Sequence, residues 1–113
     1  MTYIISLSER RHDPRGEFPS YSIAIIPGPD KAEVQSVEDS LRRIGVSVTG
    51  TNPLYRNNMD KYVREKTAGN MPCSGIELLV DGKLGRTPNE ILASASMGLT
   101  SAEARGYHPI SSR

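Results

Sequence analysis

Residues 21–48 read YSIAIIPGPDKAEVQSVEDSLRRIGVSV, and the choice of fold class turns on them. Tyr21 to Ile26 is nearly continuous in apolar residues, the character of a strand covered on both faces in a parallel sheet. Pro27-Gly28-Pro29 stops that strand. Asp30 followed by Glu33 is an N-capping pattern. Val34, Val37, Leu41 and Ile44 then recur at spacings of three and four, one apolar stripe of an amphipathic helix. Gly45 supplies the stop, and Val46 to Val48 reads as the next strand. Strand, tight turn, helix, Gly and strand together predict a β-α-β unit with a right-handed crossover.

Upstream, Tyr3 to Leu7 is a short β-branched run read as a strand. Glu9 to Pro19, with Pro14, Gly16 and Pro19, reads as a polar loop. Downstream, Thr49 to Asn57 is turn-rich. Asn58 to Thr67 reads as a second helix, with Asp60 and Arg64 as an i,i+4 pair. Ile76 to Val80 reads as the third apolar strand of the parallel set, closed by the turn Asp81-Gly82. Thr87-Pro88-Asn89-Glu90 opens a third helix as N-cap, Pro at the first helical position and Glu three residues past the cap. Ile91, Leu92, Ala95 and Leu99 form its apolar face. Thr100 to Glu103 repeats the capping pattern, and Tyr107 to Ile110 reads as an edge strand. The expected architecture is one α/β domain over residues 1–113, an open, mostly parallel four- to five-stranded sheet flanked by helices. Residues 1–20 supply an N-terminal strand and polar loop, and residues 21–110 the core.

Composition narrows the function classes. A chain of 113 residues supports one domain, with a core lean in aromatics (5%, no Trp), which favours a homo-oligomer. The formal net charge of +1 shows no basic surplus and disfavours direct nucleic-acid binding. The single Cys73 rules out an internal disulfide framework, and with His12 and His108 it makes a poor zinc set. No run approaches the ~20 apolar residues of a membrane span. The N-terminus has its apolar run ahead of its charges, the reverse of a secretory signal. A cytoplasmic protein without a membrane partner, cofactor or metal is expected.

Ligands of parallel α/β sheets bind beyond the carboxyl ends of the strands. That rule selects the loops Pro27 to Lys31, Gly50 to Asn57 and Asp81 to Glu90. The first pairs Gly28 and a helix N-terminus with Lys31, an arrangement for an anion, although it has neither G-x-G-x-x-G nor a P-loop pattern. In the third, Glu90 has two readings. It caps its helix, or it is a carboxylate at the ligand edge. No G-x-S-x-G accompanies the two histidines, and nothing beside Cys73 lowers a thiol pKa.

Three segments together resemble the nucleoside 2-deoxyribosyltransferase superfamily, especially its short phage and bacterial members. They are Ile23-Ala24-Ile25-Ile26-Pro27-Gly28-Pro29, then Leu41-Arg42-Arg43-Ile44-Gly45-Val46-Ser47-Val48, then Ile76-Glu77-Leu78-Leu79-Val80 with Gly85-Arg86-Thr87-Pro88-Asn89-Glu90 and Met97-Gly98. An alternative register takes Met1 to Ser6 as the family's first strand, and it leaves Ile23 to Pro29 as an insertion. The resemblance implies cleavage or exchange of an N-glycosidic bond of a nucleoside or nucleotide through a glycosyl-enzyme intermediate. Glu90 would be the nucleophile and Asp81 its partner. Gly28, Pro29, Lys31 and Thr87 would lie near the sugar or phosphate, and Tyr21 or Tyr55 would wall the base. Three departures stand against activity. Cys73-Ser74-Gly75 occupies the place of a family Asp, Asp81, the nearest candidate for a second family Asp, lies farther from Glu90 in what reads as an ordinary turn, and Arg86 occupies the place of a loop Gly. A non-catalytic domain that binds a nucleotide or a protein is therefore the rival expectation.

Overall fold

A computed structural model of the chain describes residues 3–10, 20–55, 73–82 and 85–108. The elements run β1 (Tyr3–Glu9), β2 (Ser20–Ile26), α1 (Lys31–Arg43), β3 (Val48–Tyr55), β4 (Cys73–Asp81), α2 (Pro88–Met97) and β5 (Ala102–His108). The strands form one sheet in the order β3-β4-β2-β1-β5.

This sheet is not the mostly parallel one that residues 21–48 led us to expect. β1 runs antiparallel to β2, β2 to β4, and β3 to β4; only the β1–β5 pair is parallel. The unit β2-α1-β3 does exist, but β4 lies between its two strands. β4-α2-β5 likewise passes over β2 and β1. Without β1 the chain would be β-α-β-β-α-β in the order β5-β2-β4-β3, two interlocked split β-α-β units. β1 is thus a fifth strand inserted between β2 and the edge strand β5 of that pattern.

The apolar run of β2 misled because its alternation is masked by Ala24 and Ile26. Tyr21, Ile23 and Ile25 join Ile5, Leu7, Leu78 and Val80 in the main core, together with Val37, Leu41, Ile91, Leu92 and Ala95 from the helices. Successive side chains of a strand point to opposite faces. Ser22, Ala24, Ile26 and Glu77 therefore lie on the other face, where Ile26 and Leu54 form a small second cluster with Ala24 against it. Both described helices cover one face, so among the described residues these are strands of an antiparallel sheet covered by helices on one side.

The two helices form as their sequences predict. Asp30 caps α1, its Oδ1 accepting from the Glu33 amide at 2.9 Å. Gly45, with φ +82°, turns the chain out of α1 through the left-handed region. Thr87 and Glu90 make a reciprocal capping box with Pro88 at the first helical position of α2. The helices touch closely. Ser40 Oγ donates to the Ser94 carbonyl at 2.6 Å, and a Cβ on Gly98 would lie 2.5 Å from Val37 Cα.

Other boundaries differ from the expectation. Thr49 to Asn57 is not a turn-rich connection through most of its length, because β3 runs on to Tyr55 with irregular register beside Gly50 and Tyr55. The last strand begins at Ala102, where a short capped turn was expected, and ends at His108. It pairs alongside β1 because its register starts at Tyr3–Ala102. The helix expected over Asn58 to Thr67 lies outside the described residues. No helix among the described residues is long and apolar enough to cross a membrane.

Candidate functional site

The strand directions sort the candidate residues into two groups at opposite ends of the sheet. β2 and β3 end where β4, β1 and β5 begin, at the end that also carries the start of α1. β4 ends where β2 and β3 begin, at the end that carries the start of α2. In a parallel sheet all these carboxyl ends would share one edge; here they do not. Gly28, Pro29, Lys31 and the backbone of Tyr55 lie at the first end. Asp81, Thr87, Glu90 and Tyr21 lie at the second. The two ends are separated by about the length of α1, whose 13 residues span roughly 20 Å.

Glu90 is a well-tied carboxylate. Its Oε1 accepts from the Thr87 amide at 3.5 Å and the Thr87 hydroxyl at 3.4 Å, while its own amide donates to Thr87 Oγ1 at 3.2 Å. Its Oε2 accepts from Arg86 Nη1 at 3.2 Å. The Arg86 guanidinium, helped by the Thr87 amide, holds the Glu90 pKa below the ordinary carboxylate value. The group is therefore ionised at neutral pH, as a nucleophile must be, and both its oxygens are occupied by the helix start. The same Arg86 donates from Nε to the Ile44 carbonyl at 3.1 Å. That bond satisfies one of the carbonyls left open at the end of α1.

The partners named for Glu90 do not converge on it. Asp81 is exposed, on the face of the sheet away from the helices, where its Oδ1 accepts from Ser20 Oγ at 3.2 Å. Tyr21 is 5% exposed within the main core, so its ring offers no wall to a base. Burial, with the Glu9 carboxylate adding to it, pushes its phenol pKa up. At the far end Gly28 is exposed and packs its backbone beside Gly75 and Ile76, and Lys31 opens α1 in full exposure. Asp30, not an anion, fills the cap position of that helix.

Two further arrangements were not legible in the sequence. At the far end Glu33 gathers three donors: the Tyr3 hydroxyl on Oε2, and the Thr100 hydroxyl and amide on Oε1, the amide at 3.2 Å. These bonds join the start of β1, the first turn of α1 and the entry to β5. The Thr100 hydroxyl foremost, then that of Tyr3, holds the Glu33 pKa below its ordinary value, while the bond to Glu33 raises that of Tyr3. Sequence offered only a capping pattern at Asp30 and Glu33, and the amide half of that pattern does form. The second arrangement lies on the face of the sheet opposite α1 and α2. Glu77 accepts from Ser22 Oγ at 2.8 Å and from Asn52 Nδ2 at 3.5 Å, linking β2, β4 and β3. Strand alternation placed Glu77 outward, but only the strand order could bring Ser22 and Asn52 to either side of it.

Among the described residues no group of three or more His, Cys, Asp or Glu side chains is placed to hold a metal ion. The described residues form an α/β arrangement of two helices on one face of a mainly antiparallel sheet. Compared with known proteins, the chain matches no family model, no curated protein and no solved structure.

Proposed function

We propose that this chain is a non-catalytic interaction domain that binds a protein partner. The observation that supports this reading is the state of Glu90, whose two oxygens are engaged by Thr87 and Arg86. Asp81 is turned to the other face of the sheet, and the glycine turn and Lys31 lie about a helix length away. A glycosyl transfer needs a carboxylate free to approach C1′, a second group for the departing base and a wall for that base. These requirements are spread over separate parts of the molecule. The face of the sheet opposite α1 and α2, carrying Ser22, Asn52 and Glu77 around the apolar pair Ile26 and Leu54, is the kind of mixed surface a protein partner fits. Its carboxylates Glu77 and Asp81 disfavour a phosphate backbone there.

The test is site-specific photo-crosslinking from Asn52, compared with Gln35 on the exposed side of α1. Discrete protein adducts from Asn52, absent from Gln35 and lost in Glu77→Lys, are expected. Adducts of equal pattern from both positions overturn the assignment of the face.

A second reading is N-glycosidic chemistry on nucleosides or their monophosphates, favoured by the ionised state of Glu90 and by the motif resemblance. Incubation with a panel of nucleosides and 5′-monophosphates decides it. Release of free base by the wild type, abolished in Glu90→Gln, replaces the interaction reading.

A further inference from the structure

We draw no further inference here: the strongest candidate, the pair of carboxylates Glu77 and Asp81 along β4 on the face of the sheet opposite α1 and α2, already accepts hydrogen bonds from Ser22, Asn52 and Ser20, and no second observation among the described residues points to a ligand there.

Discussion

Arg86 Nε donates to the carbonyl of Ile44 at 3.1 Å, so the residue that leads into the second helix closes the end of the first. The same guanidinium reaches Glu90 with Nη1. One planar fork thus bridges the C-terminus of α1 and the N-terminus of α2. In the resemblance to the deoxyribosyltransferases this position is a departure. In the fold it is a brace.

Arg86→Ala is expected to lower stability by about 0.5–1.5 kcal/mol through the lost bond to Ile44. Arg86→Lys should restore little, because an ammonium is a point charge that cannot span both acceptors as the fork does. A cycle combining Arg86→Ala with Glu90→Ala should show only weak coupling, since both side chains are partly exposed at 38% and 46%. Chemical denaturation of wild type, the three single variants and the double variant measures this. An alanine variant as stable as wild type would mean that the bond to Ile44 contributes nothing, and a lysine variant as stable as wild type that the fork is not needed.

Gly98 makes a different prediction, because its need for glycine comes from a neighbour and not from its backbone. Its φ of −76° suits any residue, but an added Cβ would meet Val37 Cα at 2.5 Å and Val37 N at 2.7 Å. Gly98→Ala should therefore push α2 away from α1 and cost about 1–3 kcal/mol. Val37→Ala should not rescue it, since the atoms in the way are main chain. Gly45→Ala is the contrasting case. There φ is +82°, and the cost of about 1–2 kcal/mol arises from the left-handed conformation. Thermal unfolding of the three variants and the Gly98→Ala/Val37→Ala pair separates the two causes.

Between those two helices Ser40 is 8% exposed and donates to the Ser94 carbonyl. Ser40→Ala should cost about 1 kcal/mol, and Ser40→Val more, because the added methyl must enter the same close contact. Equal stability of Ser40→Ala and wild type would show the bond to be replaced by solvent without loss.

These contacts mark the boundary of what the sequence disclosed. The helices were legible, because the cap residues Asp30 and Thr87 and the stripes through Val37 and Leu41, and Ile91, Leu92 and Ala95, are local signals of period 3.6. The sheet was not. Its strands alternate, but Ala24, Ile26 and Leu79 put apolar groups on the outward face and hid the period of two. Strand direction is a long-range property, and pairing Tyr21 with Val80 or Ile4 with Ile26 leaves no local trace. The candidate site inherited that error. The rule that gathered Gly28 and Glu90 on one edge applies to parallel strands, and here β2 and β4 deliver them to opposite ends. Of the two readings of Glu90, the cap is the one that local sequence carries, because the Thr87-Pro88-Asn89-Glu90 pattern is complete within four residues, and the capping box forms.

Glu33 gives the prediction with the clearest pH signature. Thr100 and Tyr3 hold its folded pKa below the ordinary 4.5, and Glu90 is lowered as well by Arg86 and Thr87. A carboxylate with a depressed folded pKa contributes stability above its unfolded value, and that contribution is lost as pH falls through the folded value. Tyr3 works in the opposite direction. Its folded pKa is raised above 10.0 by the bond to Glu33, so its contribution is present below that value and is lost as pH rises through the raised one. The melting temperature should therefore be level through neutral pH. It should decline below about pH 4.5, and again above about pH 10. Glu33→Gln should lower the plateau and flatten the acid limb, leaving the share due to Glu90. Tyr3→Phe should reduce the alkaline limb without abolishing it, because buried Tyr21 is also raised. Circular dichroism melts across the pH range, run on wild type and both variants, test the cluster. An acid limb unchanged in Glu33→Gln would show that the join between β1, α1 and β5 does not depend on this carboxylate.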